Sequence, residues 1–363
     1  MGSRVDKNKE RKRKNKIRLI TCFTILGIIL FLCSFSNFKE YACLDNNSKT
    51  NEENNKIIDG ENIKKISISA VGDCTFGNYK GSNWTNSFNH EFENQKSDFA
   101  YFFENVKKFF SKDDITIINL EGPLTNAYKS EDKKFAFKGK PSYVNILKQG
   151  SIEAVNIANN HTYDYLEKGY KNTIDILKDN GIGYFGYENK YIKDVKGIKV
   201  GILGYKVWNN SNYLKRQIKN DLEYMKLNSN LIIVNFHWGE ENKYYPNNIQ
   251  KNIGHYAIDN GADLVLGHHP HVIQGIEKYK DKYIVYSLGN FCFGGNRNPS
   301  DKDTFIFQQT FTFENNELVN SSKNIIPCSI SSIKSRNDYK PTPLTGEEKA
   351  RVLNKIDNLS EFY

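Results

Sequence analysis

The chain has 363 residues, a formal net charge of +9 and six cysteines. That length is enough to bury a large core, as one big domain or two ordinary ones. Nine lysines and arginines fall within residues 1–18 against Asp6 and Glu10, so seven of the nine net positive charges sit there and two remain for everything after. A nearly neutral body excludes a phosphate-backbone footprint, and no nucleic-acid partner is expected.

The basic tail runs into LITCFTILGIILFLCSFSNF, residues 19–38, without a charge. An apolar run of about 20 residues spans a bilayer core as a helix. Lysine and arginine on its N-terminal side place that end in the cytoplasm. A cleaved signal peptide has a shorter apolar core and a small-residue exit site. Here the run ends in Asn37-Phe38-Lys39-Glu40 with no Ala-x-Ala pattern, and lipoprotein processing fits neither Cys33, which follows Leu32, nor Cys43, which lies past the run. The expectation is a single-pass transmembrane signal anchor over 19–38, a basic cytoplasmic tail over 1–18, and the main domain outside the cell membrane. Residues 39–64, rich in Asn, Lys and Glu, read as a flexible linker. Cys22 and Cys33 belong to the apolar run. Cys43, Cys74, Cys292 and Cys328 would face an oxidising side, but their spacing matches no zinc knuckle.

The body, 65–340, begins with KISISAVGD, a strand entering a Gly-Asp turn. Helical and strand patterns then alternate. DFAYFFENVKKFF has helical spacing and DITIINLEG is a strand; PSYVNILKQG is a helix and IEAVNIANN a strand. LEKGYKNTIDILKDNG is a helix with a glycine stop, KGIKVGILGY a strand, and LKRQIKNDLEYMKL a helix. NLIIVNFHWG is a strand, NNIQKNIGHYAIDNG a helix and ADLVLGHHPH a strand. This alternation predicts α/β units around a largely buried sheet. After residue 271 come strands without helices, which predict an antiparallel second sheet. A last helix is expected within 341–363, where Thr345 and Glu348 have capping-box spacing.

Polar residues collect where apolar strands end. SAVGD delivers Asp73, IINLEG delivers Asn119 and Glu121, VNIANNH delivers Asn159, Asn160 and His161, and IVNFHWGEE delivers His237. GADLVLGHHPHVIQG delivers His268, His269 and His271, three of the seven histidines. In an open α/β sheet the carboxyl ends of parallel strands share one edge, so these side chains are expected to converge on one crevice. Nitrogen and oxygen donors without thiolates suit zinc, manganese or iron, and a carboxylate able to bridge, with several histidines, is what a two-metal centre needs. His90 and His255 fit no such pattern and are assigned to surface or packing roles.

AVGDCTF, NLEGPLT, NIANNHTYDY, NFHWGEE, GADLVLGHHPHVIQG and YSLGNFCF stand in the order found in the CapA-type poly-γ-glutamate capsule-synthesis proteins, which the chain resembles over roughly residues 65–293. That family is similar in turn to calcineurin-like metallophosphoesterases. The resemblance implies a four-layered α/β/β/α sandwich with one or two divalent ions (Mn, Zn or Fe) at the strand ends. It implies Asp73, Glu121, Asn160, His237, His269 and His271 as metal ligands, with His268 left open as an alternative. His161 resembles the histidine that acts as general acid on the leaving group, and Asp164 is placed to orient it. One position departs from the pattern: phosphoesterases begin Asp-x-His, and here the third residue is Thr75. The site is therefore read as holding one metal, or two with a weaker first.

Lys138 in FAFKGKP is a candidate to meet an anionic substrate, and Glu240 and Glu241 follow His237 as candidate base or supporting groups. Ser287 and Asn290 are expected to shape the loop beneath the metal site. The resemblance implies an anionic polymer such as poly-γ-glutamate and other capsule-synthesis membrane subunits as partners, with metal-assisted hydrolysis of a phosphoester or amide bond as chemistry. A non-catalytic polymer-binding subunit and a general secreted metallophosphatase are the rival readings.

Overall fold

The computed structural model describes residues 63–361. The expected cytoplasmic tail, transmembrane helix and all but the last two residues of the linker lie outside the described residues. Among the described residues, no helix is long and apolar enough to cross a membrane.

The chain opens with β1 (Ile63–Thr75) and β2 (Asn78–Tyr79), then α1 (Phe88–Asn94), α2 (Lys107–Phe110), β3 (Ile115–Leu120) and β4 (Phe137–Lys138). Next come α3 (Val144–Gly150), β5 (Ala154–Asn156), α4 (Leu166–Asp179), β6 (Gly183–Phe185) and β7 (Tyr191–Val195). They are followed by β8 (Ile198–Val207), α5 (Asn212–Asn228), β9 (Leu231–Trp238), α6 (Asn248–Asp259) and β10 (Leu264–His268). The remainder is β11 (Ile276–Tyr279), β12 (Lys282–Val285), β13 (Asn290–Phe293), β14 (Asp303–Glu314), β15 (Glu317–Ser329), β16 (Thr342–Pro343) and α7 (Gly346–Ser360).

Two mixed sheets result. One has the order β16-β15-β14-β1-β3-β5-β6 with β13 also beside β1, and the other β11-β12-β10-β9-β8-β7. Strands buried on both faces must be apolar at every step, and alternate residues of each feed different cores. In β3, Ile115 and Ile117 pack between the sheets while Ile118 and Leu120 face the helices. In β9, Leu231 and Ile233 pack between the sheets while Ile232, Val234 and Phe236 meet α5 and α6 through Ile218, Leu222 and Ile253. The order is helices, sheet, sheet, helices, and the three large buried clusters lie at its three interfaces.

Several expectations are corrected. The strands after residue 271 do not form a sheet of their own. β14 and β15 extend the first sheet antiparallel to β1, whereas β11 and β12 extend the second. The reason is burial: Phe305, Phe307, Phe311 and Phe313 of β14 complete the apolar layer between the sheets. The segment around Tyr101–Phe110 breaks into a 3-10 turn and the single-turn α2. α7 follows Thr345, whose side chain makes no capping bond, and the Glu348 side chain pairs instead with Arg351, which grips Asp303 at 2.8 and 2.6 Å. The capping box that does form is Asn247–Gln250 at α6.

Asp113 lies just before β3, at the strand end opposite the carboxyl edge. Burial raises its carboxyl from the ordinary 3.8 to about 7, against the lowering hydrogen bonds of Ser69 and Thr116. The folded chain therefore holds a proton there that the unfolded chain releases, so stability falls as pH rises between 3.8 and about 7. Asp113→Asn is expected to raise the Tm at pH 8 and to leave it nearly unchanged at pH 4. Equal shifts at both pH values in thermal unfolding would refute that account.

Candidate metal centre

Strand register assembles the site. Across the first sheet Asn290, Asp73, Asn119 and Asn156 are lateral partners on β13, β1, β3 and β5. Across the second, Lys206, His237 and His268 are partners on β8, β9 and β10. Apart from Asn290, which opens β13, both rows lie toward the carboxyl ends of their strands, the crevice edge of such sheets. β1 and the β12–β13 turn approach closely because Gly72 carries no side chain: a Cβ there would lie 2.0 Å from the Gly289 carbonyl oxygen. The Asp73 N–H donates to that carbonyl at 2.9 Å.

Asn119 joins the rows. Its Nδ2 donates to Asp73 Oδ1 at 2.8 Å and reaches His237 Nδ1 at 3.3 Å, and its Oδ1 accepts from Asn156 Nδ2 at 3.0 Å and Asn159 Nδ2 at 3.3 Å. An amide has two donor hydrogens and an acceptor oxygen, and all are engaged here. Asp73 is fully buried, with His271 Nδ1 at 3.1 Å, His268 Nδ1 at 3.6 Å and the His269 N–H at 3.2 Å. Burial opposes its ionisation, but the bonds and charge of His268 and His271 prevail and hold the carboxyl well below the usual range.

Glu121 is the unresolved charge. It is fully buried, and among the described residues neither carboxylate oxygen has a hydrogen-bond partner; His161 Nε2 and His271 Nε2 both lie 3.8 Å from Oε1. Burial first, then the Asp73 charge, pushes its carboxyl well above the usual range. A bare carboxylate there would cost on the order of several kcal/mol; protonation avoids that cost, and so does a bound cation. Donor atoms for one are at hand. Glu121, His269 and His271 form one triad with ligand atoms within 4.8 Å of one another, and Asp73, Glu121 and His237 form another. Glu121 belongs to both. The His269 Nδ1 is also buried without a partner. Burial, then the His271 charge, lowers His269 to about 4, and burial, then His269, lowers His237 well below its ordinary value, so both rings are neutral and able to donate a lone pair. The donor set thus fits divalent cations.

His269 and His271 have φ of 96° and 58°, left-handed values uncommon outside glycine. Strain of this kind persists where surrounding structure over-determines it. Here the Asp73 bonds and Asn290 do so: Asn290 Oδ1 takes His271 Nδ1 at 2.9 Å and its Nδ2 donates to the His271 carbonyl at 3.2 Å. Ser287 supports the same loop, donating to the Val272 carbonyl at 2.7 Å.

His161 stands at the other side. Its Nδ1 meets Asp164 Oδ2 at 2.8 Å, and the ring packs edge-on against Phe137. Asp164 is buried and held by the Phe137 N–H and by an ion pair with Lys133. Asn160 Oδ1 lies 2.8 Å from His237 Nε2, so the two expected ligands converge.

Other expected residues fall elsewhere. His268 belongs to neither triad; it is buried behind Asp73 with Nε2 3.4 Å from Asn235 Oδ1. Lys138 turns from the site, donating to the Ala127 carbonyl at 3.0 Å over the Tyr165 ring, because its own strand β4 packs there. Glu240 is exposed, and its neighbour Glu241 lines the cavity instead. Thr75 donates to the Glu121 carbonyl at 2.8 Å and so positions that residue's backbone. His255 pairs with Glu277 at 2.8 Å and stacks on Tyr279, and His90 contacts Trp84, both away from the centre.

Sequence reasoning missed Asn156, Lys133 and Trp208. Trp208 is 45% exposed and lies edge-on to His269 at 4.8 Å, at the end of β8. Only Asn156 carried a signal, as a polar residue ending a short buried strand. A cavity of about 480 Å³ opens on the centre, lined by His161, Glu241, His271, Asn290 and the rings of Phe135 and Phe293.

The chain is 28% identical over 312 residues to the capsule biosynthesis protein CapA of Bacillus anthracis, covering 78% of this chain and 70% of that protein. It is 30% identical over 250 residues to the PGA biosynthesis protein CapA of Bacillus subtilis (strain 168), covering 63% of each. Among solved structures it aligns with a novel phosphatase from Mycoplasma pneumoniae at a TM-score of 0.42 and 14% identity, covering 73% of this chain and 94% of that one. The profile of the bacterial capsule synthesis protein PGA_cap matches residues 67–295, nearly the whole span that carries the two polar rows, and the chain belongs to that family.

Proposed function

We propose that this protein is a membrane-anchored, extracytoplasmic component of the synthesis or export of poly-γ-glutamate or a related anionic polymer. Its site is a metal-dependent hydrolase centre acting on a phosphoester or amide bond. The observation that carries the reading is Glu121, buried, without a hydrogen-bond partner, and common to both ligand triads. Asp73, Glu121, Asn160, His237, His269 and His271 would hold one or two ions of Mn, Zn or Fe. Such ions, when bound, activate water and neutralise charge developing on the scissile group.

The chain's own residues supply the rest. Asp164 holds His161 by Nδ1, leaving Nε2 toward the centre as proton donor to the leaving group. Lys133 and the Phe137 N–H fix Asp164, so the ring's orientation is set before substrate arrives. Residues 19–38 anchor the chain, with the basic tail in the cytoplasm, and bring the body beside other capsule-synthesis membrane subunits. A second reading, a non-catalytic polymer-binding subunit, is favoured by Thr75, whose hydroxyl holds backbone where a histidine ligand would otherwise stand.

His161→Ala is expected to keep metal content and to lower turnover about 10²–10⁴-fold, assayed on p-nitrophenyl phosphates and on poly-γ-glutamate. Turnover at the wild-type rate would falsify the acid role, and bound metal without hydrolysis of either substrate by the wild type supports the binding reading. In the metal-free wild type, burial lowers His271 but Glu121 and Asp73 outweigh it and raise the ring to about 9, while Glu121 is itself raised. Metal must displace these protons, so affinity is expected to climb with pH up to about 9 and binding to release protons, read by calorimetry in two buffers. An excess of metal at 100 times Kd stabilises by about 2.7 kcal/mol. Glu121→Gln, which mimics the neutral acid, should abolish this gain with little change in the metal-free Tm; a full metal-induced shift in that variant rules Glu121 out as ligand. An alkaline phosphatase fusion joined after residue 60 is expected to be active, and an inactive one sinks the proposed orientation.

A further inference from the structure

Beside the metal cavity lies a second one, of about 440 Å³, and the two share Gly295 and Asn296 in their walls. Its lining is polar, with Ser82, Asn86, Asn298 and two guanidinium groups, Arg297 and Arg336. These arginines are not equivalent. Arg336 is already compensated: its Nη1 lies 2.8 Å from Oε2 of the buried Glu91. Arg297 is anchored by one bond, Nη1 to the Thr85 carbonyl at 3.0 Å, and among the described residues no carboxylate stands within ion-pair distance of it. A guanidinium has five N–H donors in a planar fork matched to carboxylate or phosphate, and a single carbonyl leaves most of that fork for an anion.

The walls are held in place without a ligand. Buried Asn337 donates to the carbonyls of Phe293 at 3.2 Å and Asn296 at 3.0 Å and takes its backbone bond from its N–H to the Arg297 carbonyl at 2.9 Å. Across the cavity, buried Tyr339 donates to the Asn86 carbonyl at 2.7 Å. A preorganised wall lowers the ordering cost of binding.

We propose that this cavity is a second subsite, in which Arg297 binds a pendant carboxylate of an acidic polymer that continues into the metal cavity. The class of polymer rests on the function proposed above. Two adjoining cavities suit a chain carrying acidic groups at intervals, since one unit fills one cavity and the chain reaches the next.

The test is equilibrium binding of fluorescently labelled γ-glutamate oligomers of increasing length to the full-length protein, with and without divalent metal. The wild type should bind long oligomers more tightly than a single glutamate. Arg297→Ala should weaken long-oligomer binding about tenfold or more and the single unit much less, with Tm and metal content unchanged and Arg297→Lys recovering part of the loss. Equal affinity of Arg297→Ala and wild type for the long oligomer overturns the proposal, as does equal weakening at every length. Arg297-dependent binding of polyphosphate but not of oligoglutamate overturns the carboxylate assignment. Arg297-dependent oligomer binding in a protein that hydrolyses nothing upholds the subsite while removing the hydrolase reading.

Discussion

Two carboxylates, Asp73 and Glu121, lie fully buried where the edges of two sheets meet, and the different ways their charge is compensated organise everything around them. Asp73 is answered inside the protein, by the Asn119 amide, the His269 N–H and the imidazoles of His268 and His271. Glu121 is answered by nothing within hydrogen-bond distance among the described residues. Buried charge is tolerated when paired or coordinating a metal, and the two neutral rings of His237 and His269 converge where such an ion would sit. Removing Asn119 would leave Asp73, Asn156 and Asn159 each short of a hydrogen-bond partner, so the rows depend on that one amide.

That rigidity has backbone causes. Gly72 lets β1 press against the turn before β13, which puts Asp73 and Asn290 in register. The loop after β10 holds His269 and His271 in left-handed conformations that isolated residues avoid, so its imidazoles are aimed before any ligand arrives. Thr75 belongs to the same logic: its hydroxyl binds the Glu121 carbonyl and steadies the residue shared by both triads. The residues of both polar rows lie within the span that matches the capsule-synthesis family.

Beyond the centre, the surface relates to the polymer reading through charge placement rather than net charge. The body after residue 18 carries a formal excess of only two positive charges. What distinguishes Arg297 is the absence of a nearby acid among the described residues, whereas Arg336 and Lys133 are each paired with a buried carboxylate, Glu91 and Asp164. A compensated cation holds structure; an uncompensated one in a cavity wall is available to a ligand.

Near-continuous apolar runs in β3, β9 and β10 were plain in the amino-acid order, because a strand buried on both faces has no solvent side on which to place polar residues. The same order displayed the strand-end placement of Asp73, Glu121, His237 and the 268–271 histidines, because a polar residue closing a buried strand has few places to go but the crevice edge. Which histidine faces a ligand and which packs behind it was not written locally. His268 and His269 are neighbours in sequence, yet one is turned behind Asp73 by β10 and the other is carried into a triad by a left-handed backbone. The destination of β14, the diversion of Lys138 to Ala127, and the arrival of Lys133 beside Asp164 likewise depended on contacts between segments far apart in the chain. Local pattern determined the elements and the kind of chemistry; only tertiary packing decided the partners, since burial and charge compensation are properties of the assembled neighbourhood and not of any one segment.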